Sequence, residues 1–384
     1  MDRRTFISRL GATGAATAAL PPDAFAFAEA GSRIAHEFVP ASSTRTVQAP
    51  AVRCAVIGLN HGHIYGQTSL VLANGGALAW VYAKEPELVA AFVKRHPSVK
   101  VARSEQEVLD DASIQLVISA AIPNERAALA IRAMQHGKDV LVDKPGVTTL
   151  AQLADLRRVQ AETNRIFSVL YGGRLESPAT QRALDLVRDG AIGSVLQTVG
   201  LGPHRLNAAS RPDWFWNREQ FGGVLCDLAA HQTDDFLAFT GSTSAEVVAA
   251  QADNLRHPAR ADFEDFGDAM VRSDRASGYF RVDWFSPDGL PVFGDSRLTV
   301  IGSAGYLELR KTIDIAGRAK GNHLLLVDKD GARYIDSANT PLPFGPRFVD
   351  DVRQRTETAM TQAHCFLATE LALRAQAQAR PARV

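Results

Sequence analysis

The sequence is poor in cysteine, has no long apolar run and carries no excess of charge. Its 384 residues include 3 cysteines, too few and too scattered for a disulfide framework or a cysteine-rich zinc site. Its 42 basic and 42 acidic side chains cancel, which argues against a nucleic-acid partner and an anionic membrane surface. No apolar segment approaches the roughly 20 residues that span a bilayer, so no stable membrane insertion is expected. What is left is a globular protein, long enough for two domains.

The first 50 residues are unlike the rest. Residues 2–8 read Asp-Arg-Arg-Thr-Phe-Ile-Ser and resemble a twin-arginine export signal, followed by an Ala- and Gly-rich stretch and Ala-x-Ala cleavage sites. We therefore predict a signal peptide over residues 1–30, a linker over 31–50, a contact with the twin-arginine export machinery and a periplasmic location. A chance arginine pair in a cytoplasmic protein is the alternative.

Two patterns of secondary structure divide the remaining chain. Over residues 51–172, short apolar strands such as 52–57, 116–119 and 140–142 alternate with helical segments, which predicts a doubly wound parallel sheet of the Rossmann type. Over residues 173–384, several strands follow one another without long helices between them. This pattern predicts an α+β domain with a largely antiparallel open sheet, closed by a helical region over 348–379.

The turn after the first strand carries part of a dinucleotide fingerprint. Gly58 holds its first position, Asn60 replaces the second glycine and His63 replaces the third, with His61 and Gly62 between them. Asn tolerates a positive φ better than most residues, so the turn can still bring backbone N–H groups to a pyrophosphate at the start of a helix. We predict that Gly58, Asn60, His61 and Gly62 bind a cofactor.

The end of the second strand bears on the choice of cofactor. An acidic residue there would bind the ribose hydroxyl of NAD, but the chain has Val81-Tyr82-Ala83-Lys84. The nearby cation Lys84 favours NADP slightly and NAD stays open, since Lys84 also suits a solvated helix start.

Two groups of residues are candidates for catalysis. Lys144 follows a buried strand and precedes Pro145, which keeps it out of the helical region at the sheet edge where ligands bind; a surface lysine is the alternative. Asp227 and His231 are four residues apart, so a continuous helix would place them on one face as a proton-handling pair. A purely structural pair is the alternative there.

Metal binding competes with the proton-handling interpretation. His61, His63, Asp227 and His231 could converge on an ion, but no dense ligand motif supports such a site, and we predict no metal.

Together these motifs resemble the Gfo/Idh/MocA oxidoreductases. The matching segments are residues 58–62, 123–124, 137–145 (with Asp-Lys-Pro in place of the usual Glu-Lys-Pro) and the Gly-Gly-x-x-x-Asp-x-x-x-His-x-x-Asp helix of 222–234. The resemblance implies that Lys144 lies between nicotinamide and substrate, where it polarises the reacting oxygen and relays its proton. It also implies that His231 is the general base, that Asp227 orients it, and that Pro123 and Asn124 lie beside the cofactor.

The expected activity is hydride transfer between a sugar or polyol hydroxyl and a tightly bound NAD(P). Arg174, His204 and Trp214 are candidate substrate contacts, with packing roles as the alternative for each. A redox-neutral NAD-using glycosidase, lyase or epimerase acting through a keto sugar is the second hypothesis, and a non-catalytic nucleotide-binding protein is the third. The resemblance also implies a homo-oligomer associated through the open sheet.

Overall fold

The computed structural model describes residues 51–382. The predicted signal peptide and linker, residues 1–50, lie outside the described residues. Within the described part of the chain, no helix combines the length and the apolar character needed to cross a membrane.

The first half of this region forms a parallel sheet of six strands in the order β3-β2-β1-β4-β5-β6. The strands are β1 (Val52–Ile57), β2 (Gly76–Tyr82), β3 (Lys100–Val101), β4 (Leu116–Ser119), β5 (Asp139–Asp143) and β6 (Phe167–Leu170), and the helices α1 (His63–Ala73), α2 (Pro86–Arg95), α3 (Glu105–Asp110), α4 (Pro123–Gln135) and α5 (Leu150–Thr163) connect them. Every residue of β4, β5 and β6 is buried, as expected for strands covered on both faces. The strand order reverses between β1 and β4, which opens a crevice at their carboxyl ends.

The second half forms a sheet of eight strands in the order β14-β13-β12-β11-β7-β10-β9-β8. The strands are β7 (Val195–Pro203), β8 (Glu246–Asp253), β9 (Phe266–Arg272), β10 (Ser277–Asp283), β11 (Arg297–Gly302), β12 (Gly305–Arg310), β13 (His323–Asp328) and β14 (Gly331–Ile335). All neighbouring pairs are antiparallel except β7 and β10, which run parallel. The predicted fold class, a Rossmann sheet followed by a largely antiparallel open sheet, is confirmed.

Seven α-helices lie in the second half of the described chain. They are α6 (Gly172–Leu175), α7 (Pro178–Arg188), α8 (Arg218–Phe221), α9 (Val224–Leu228), α10 (Ala230–Thr240), α11 (Phe344–Gln354) and α12 (Gln362–Gln378). Two segments predicted as single helices are divided. A turn at Ala229 separates α9 from α10, and the closing helical region ends once at Arg355, whose φ of 59° is left-handed, before α12 begins.

The last helix, α12, connects both halves of the fold. The Gln362 side chain accepts a hydrogen bond from the backbone N–H of Phe167 in β6 (3.0 Å). The Gln376 side chain accepts one from the backbone N–H of Leu225 in α9 (2.8 Å). Because these buried bonds anchor α9 relative to the parallel sheet, α12 fixes the position of α9 over the carboxyl end of β5.

Candidate active site

Lys144 and Asp227 meet where the two halves of the chain face each other. Lys144 follows β5 and Asp227 lies in α9, and the Lys144 Nζ donates a hydrogen bond of 2.8 Å to Asp227 Oδ1. Their side chains are only 7% and 12% exposed. Burial opposes ionisation of Asp227, but the Lys144 ammonium holds the pKa of that carboxyl below its ordinary value. The two residues therefore form a charged, buried pair at the edge of the sheet where ligands bind.

His231 lies close to this pair but is not bonded to Asp227. The turn at Ala229 interrupts the helix, and Gln232 and Thr233 both donate their backbone N–H to the Ala229 carbonyl. Asp227 bonds to Lys144 instead, while His231 Nδ1 is buried without a hydrogen-bond partner. Burial and the Lys144 charge lower the His231 pKa to about 3, so the imidazole is neutral at physiological pH.

His204 and Trp214, two of the predicted substrate contacts, each pack against aromatic side chains. The His204 ring packs against Trp284 and Phe293, with Nδ1 at 2.9 Å from the Gly202 carbonyl oxygen. Burial and the nearby Lys144 charge lower its pKa to about 4, which places His204 within electrostatic range of the site. Trp214 belongs to a short 3-10 turn, Asp213–Trp216, and its ring packs edge-on against the next residue of the chain.

Arg174 is occupied by an ion pair rather than exposed to a ligand. Its guanidinium donates two hydrogen bonds of 2.7 Å to the carboxylate of Asp234, which is buried in α10. The Asp234 carboxylate also lies 2.8 Å from His364 Nε2. Arg174 thus joins α6 to α10, and its Nε and Nη2 both donate to Asp234.

Asp143, the last residue of β5, is surrounded by two histidines and an arginine. His61 Nδ1 is 2.8 Å from Asp143 Oδ2, and His63 Nδ1 is 2.9 Å from Oδ1. The buried Arg126 donates to the carbonyls of residues 121, 143, 144 and 145 and contacts Asp143 Oδ2 at 3.3 Å. His61 and His63 therefore meet each other, as the metal hypothesis required, but around Asp143 rather than Asp227 and His231.

Sequence reasoning missed Arg126. Its burial could have been predicted from its position on the apolar face of α4, where Ala127, Leu129 and Ala130 are also buried. A charged side chain on such a face needs buried partners, and the chain segment before and after Lys144 provides them as carbonyl oxygens.

The turn after β1 fits a dinucleotide. Gly58 has a φ of +83°, and a Cβ there would lie 2.5 Å from the Ala121 Cβ, so only glycine is tolerated. Helix α1 begins after Gly62 with no side-chain cap. The backbone N–H groups of Ile64 and Tyr65 donate to the His61 and Gly62 carbonyls, so the helix start attracts an anion mainly through its positive end. The Asn124 Oδ1, at the start of α4 after Pro123, is buried without a partner. These groups suit a pyrophosphate and the polar groups beside it.

A cavity of about 320 Å³ continues from this turn between β2 and α4. Its lining includes Gly58, Asn60, Lys84, Asn124 and three glutamates, Glu85, Glu105 and Glu125. Lys84 is paired with Glu125 at 2.8 Å, and Asn60 Nδ2 donates to Glu85 Oε1 at 2.8 Å. Glu85, which sequence reasoning passed over because it lies three residues beyond the strand end, is thus held inside the cavity.

Family models match both halves of the chain. Residues 52–171 match the oxidoreductase family with an NAD-binding Rossmann fold, and residues 180–308 match the GFO/IDH/MocA C-terminal domain. The chain belongs to the Gfo/Idh/MocA family of oxidoreductases, and the predicted resemblance is confirmed.

Individual relatives agree with this assignment. A solved structure from Erwinia carotovora atroseptica, provisionally described as an oxidoreductase, is 45% identical with a TM-score of 0.84, covering 86% of this chain and 99% of its own. The D-xylose dehydrogenase of Paenarthrobacter nicotinovorans is 24% identical, covering 54% of this chain but only 53% of its own length. The scyllo-inositol 2-dehydrogenase (NAD+) of Bacillus subtilis is 24% identical, covering 74% and 79% respectively.

Proposed function

We propose that this protein transfers a hydride between a nicotinamide dinucleotide and a secondary hydroxyl of a sugar or polyol. The observation that carries the proposal is the buried Lys144–Asp227 pair at the carboxyl end of β5. Relatives named as D-xylose and scyllo-inositol dehydrogenases support the substrate class.

Each residue of the site has a separate role in the proposed reaction. The bound nicotinamide supplies a ring carbon that accepts or donates the hydride. Asp227 takes one N–H of Lys144, which anchors the ammonium and leaves its other protons for the reacting oxygen. Those protons stabilise negative charge on that oxygen as the hydride leaves. His231, neutral at physiological pH, would accept the proton of the substrate hydroxyl as the hydride leaves and pass it to water.

The test is a substrate panel with matched variants. Purified protein is incubated with NAD+ or NADP+ and a series of aldoses, inositols and glycosides, and formation of the reduced nicotinamide is followed by absorbance. We expect oxidation of at least one polyol, and a loss of about 100-fold or more with Lys144→Met. Lys329→Met is the control, because that side chain is 86% exposed. Cleavage of a glycoside with no added acceptor would instead indicate the redox-neutral chemistry.

We infer that the cofactor is NAD rather than NADP, opposite to the slight preference taken from Lys84. The Lys84 charge is paired with Glu125, and Glu85 carries a carboxylate into the same cavity. Three glutamates and two cations, Lys84 and Arg132, line the cavity. An extra phosphate of charge near −2 would be repelled there, whereas a ribose hydroxyl can donate to a carboxylate.

Export and cofactor retention form a linked proposal. We propose that residues 1–30 direct twin-arginine export, as their sequence predicts, and that the protein folds around a tightly held dinucleotide before it leaves the cytoplasm. Free nicotinamide nucleotides are cytosolic, so an exported enzyme needs to keep its own. Native mass spectrometry of periplasmic protein should show a bound nucleotide; protein recovered only from the cytoplasm would contradict export.

We also propose that the protein is a homo-oligomer that associates through the open face of the eight-stranded sheet. Leu196 and Met270, on β7 and β9, are 50% and 47% exposed, and both lie on the sheet that the family resemblance implicates. Light scattering should show a dimer or larger species that Met270→Lys weakens, with Lys329→Glu on the distant hairpin as control.

A further inference from the structure

Three potential metal ligands converge at the carboxyl ends of β1 and β5. His61 lies in the turn after β1, His63 is the first residue of α1, and Asp143 is the last residue of β5. Their ligand atoms all lie within 4.8 Å of one another. Residues from two separate stretches of chain thus present two imidazole nitrogens and a carboxylate to a common point.

The contact between His61 and Asp143 is short, but its geometry is less favourable for a hydrogen bond than that of the His63 contact. His63 Nδ1 has hydrogen-bond geometry toward Asp143 Oδ1 at 2.9 Å. His61 Nδ1 is 2.8 Å from Oδ2, yet this nitrogen is buried and has no hydrogen-bond partner.

A shared ion explains this geometry. Ligand atoms about 2.1 Å from a tetrahedral metal lie about 3.4 Å apart. The two contacts of 2.8 and 2.9 Å and the overall spread of 4.8 Å bracket that spacing, so small side-chain rotations would bring the three ligand atoms around one ion.

The surrounding structure holds the ligands in place. The backbone N–H of His61 donates to the Ala120 carbonyl at 3.0 Å, which fixes the turn. Arg126 contacts Asp143 Oδ2 at 3.3 Å, and metal-binding carboxylates commonly receive such a bond from a neighbour. Most of the hydrogen bonds of Arg126 go to backbone carbonyls, so Asp143 keeps acceptor capacity for a cation.

We propose that His61, His63 and Asp143 bind a divalent transition metal of the Zn²⁺ or Fe²⁺ type. Two imidazoles and one carboxylate suit these ions and leave coordination positions open. Asp143 directly precedes Lys144, so an open position faces the same cleft and can take a hydroxyl or carbonyl oxygen of a ligand. The proposal does not depend on the reaction assigned above.

The experiment is metal binding by the untagged full-length protein after treatment with a chelator. Co²⁺ is titrated and followed by its visible absorption, and Zn²⁺ is added to displace it. We expect one Co²⁺ per chain with micromolar or tighter affinity. His63→Gln, whose side chain is 53% exposed in the parent and therefore spares the fold, should weaken binding roughly 100-fold. Asp143→Asn should do the same, and His136→Gln, on the far end of α4, should have no effect.

Two outcomes would overturn the proposal. One is the absence of Co²⁺ and Zn²⁺ binding at millimolar concentrations. The other is binding that His63→Gln and Asp143→Asn leave unchanged. Nitrogen NMR of labelled histidines provides a check that needs no substitution: Zn²⁺ should remove the Nδ1–H signals of two histidines, and their persistence would show a cluster held by hydrogen bonds alone. Because no step requires turnover, failure here would leave the proposed hydride transfer untouched.

Discussion

Removal of either partner of the Lys144–Asp227 pair should destabilise the protein strongly, and removal of both should cost less than the sum. At 2.8 Å and an effective dielectric constant of about 20, the Coulomb attraction is about 6 kcal/mol. Desolvation of two charges offsets most of this gain, so the intact pair contributes little net stability. A single substitution, however, leaves one buried charge without its partner, at a cost of about 3–5 kcal/mol.

The assay is a double-mutant cycle measured by urea unfolding. Asp227→Asn and Lys144→Met are compared with the double variant and with the parent protein. We expect each single variant to lower the free energy of unfolding by about 3–5 kcal/mol, with a coupling energy of at least about 2 kcal/mol. Additive losses below about 1 kcal/mol would refute the reasoning, since they would mean that water reaches both charges.

Three further predictions concern the cofactor site and the Arg174–Asp234 pair. Gly58→Ala should abolish dinucleotide binding measured by fluorescence, because its methyl group would meet Ala121 at 2.5 Å; unchanged affinity would place the cofactor elsewhere. Glu85→Arg should shift the ratio of NADPH to NADH affinity at least about 10-fold toward NADPH, whereas the exposed control Glu87→Arg should not. Burial opposes ionisation of Asp234, but the Arg174 charge and the His364 bond hold its pKa well below the ordinary value. Because a lowered folded-state pKa stabilises above the unfolded value of about 3.9, stability should fall as pH drops below about 4, and Asp234→Asn should flatten that part of the profile.

Local patterns predicted most of the parallel sheet. The predicted strands Val52–Ile57 and Leu116–Ser119 have the same bounds in the structure, because strands covered on both faces are largely apolar. In contrast, β14 (Gly331–Ile335) was not predicted. It is an edge strand with four exposed residues out of five, so burial imposes no pattern on it.

The active site was harder to predict from the sequence because its contacts join residues that are far apart along the chain. Spacing along a helix paired Asp227 with His231, but the turn at Ala229 separates them, and the partner of Asp227 is 83 residues away in sequence. The carboxylate of Asp143 was noted only as a variant of a family motif. Its histidine neighbours come from a turn that was interpreted mainly as a phosphate-binding loop, and the rival metal hypothesis grouped them with Asp227 and His231 instead. Neither the contact of Asp227 with Lys144 nor that of Asp143 with the histidines follows a repeating pattern in the sequence.

The position of α12 has a consequence for how the chain acquires its shape during synthesis. Both β6 and α9 depend on side chains of this helix for buried hydrogen bonds, yet α12 follows every other helix and strand of the described residues. A nascent chain whose α12 has not yet emerged from the ribosome therefore lacks the side chains that hold Asp227 beside Lys144. Ligand binding should therefore begin abruptly once α12 has been translated, rather than increase gradually as the amino-terminal half folds.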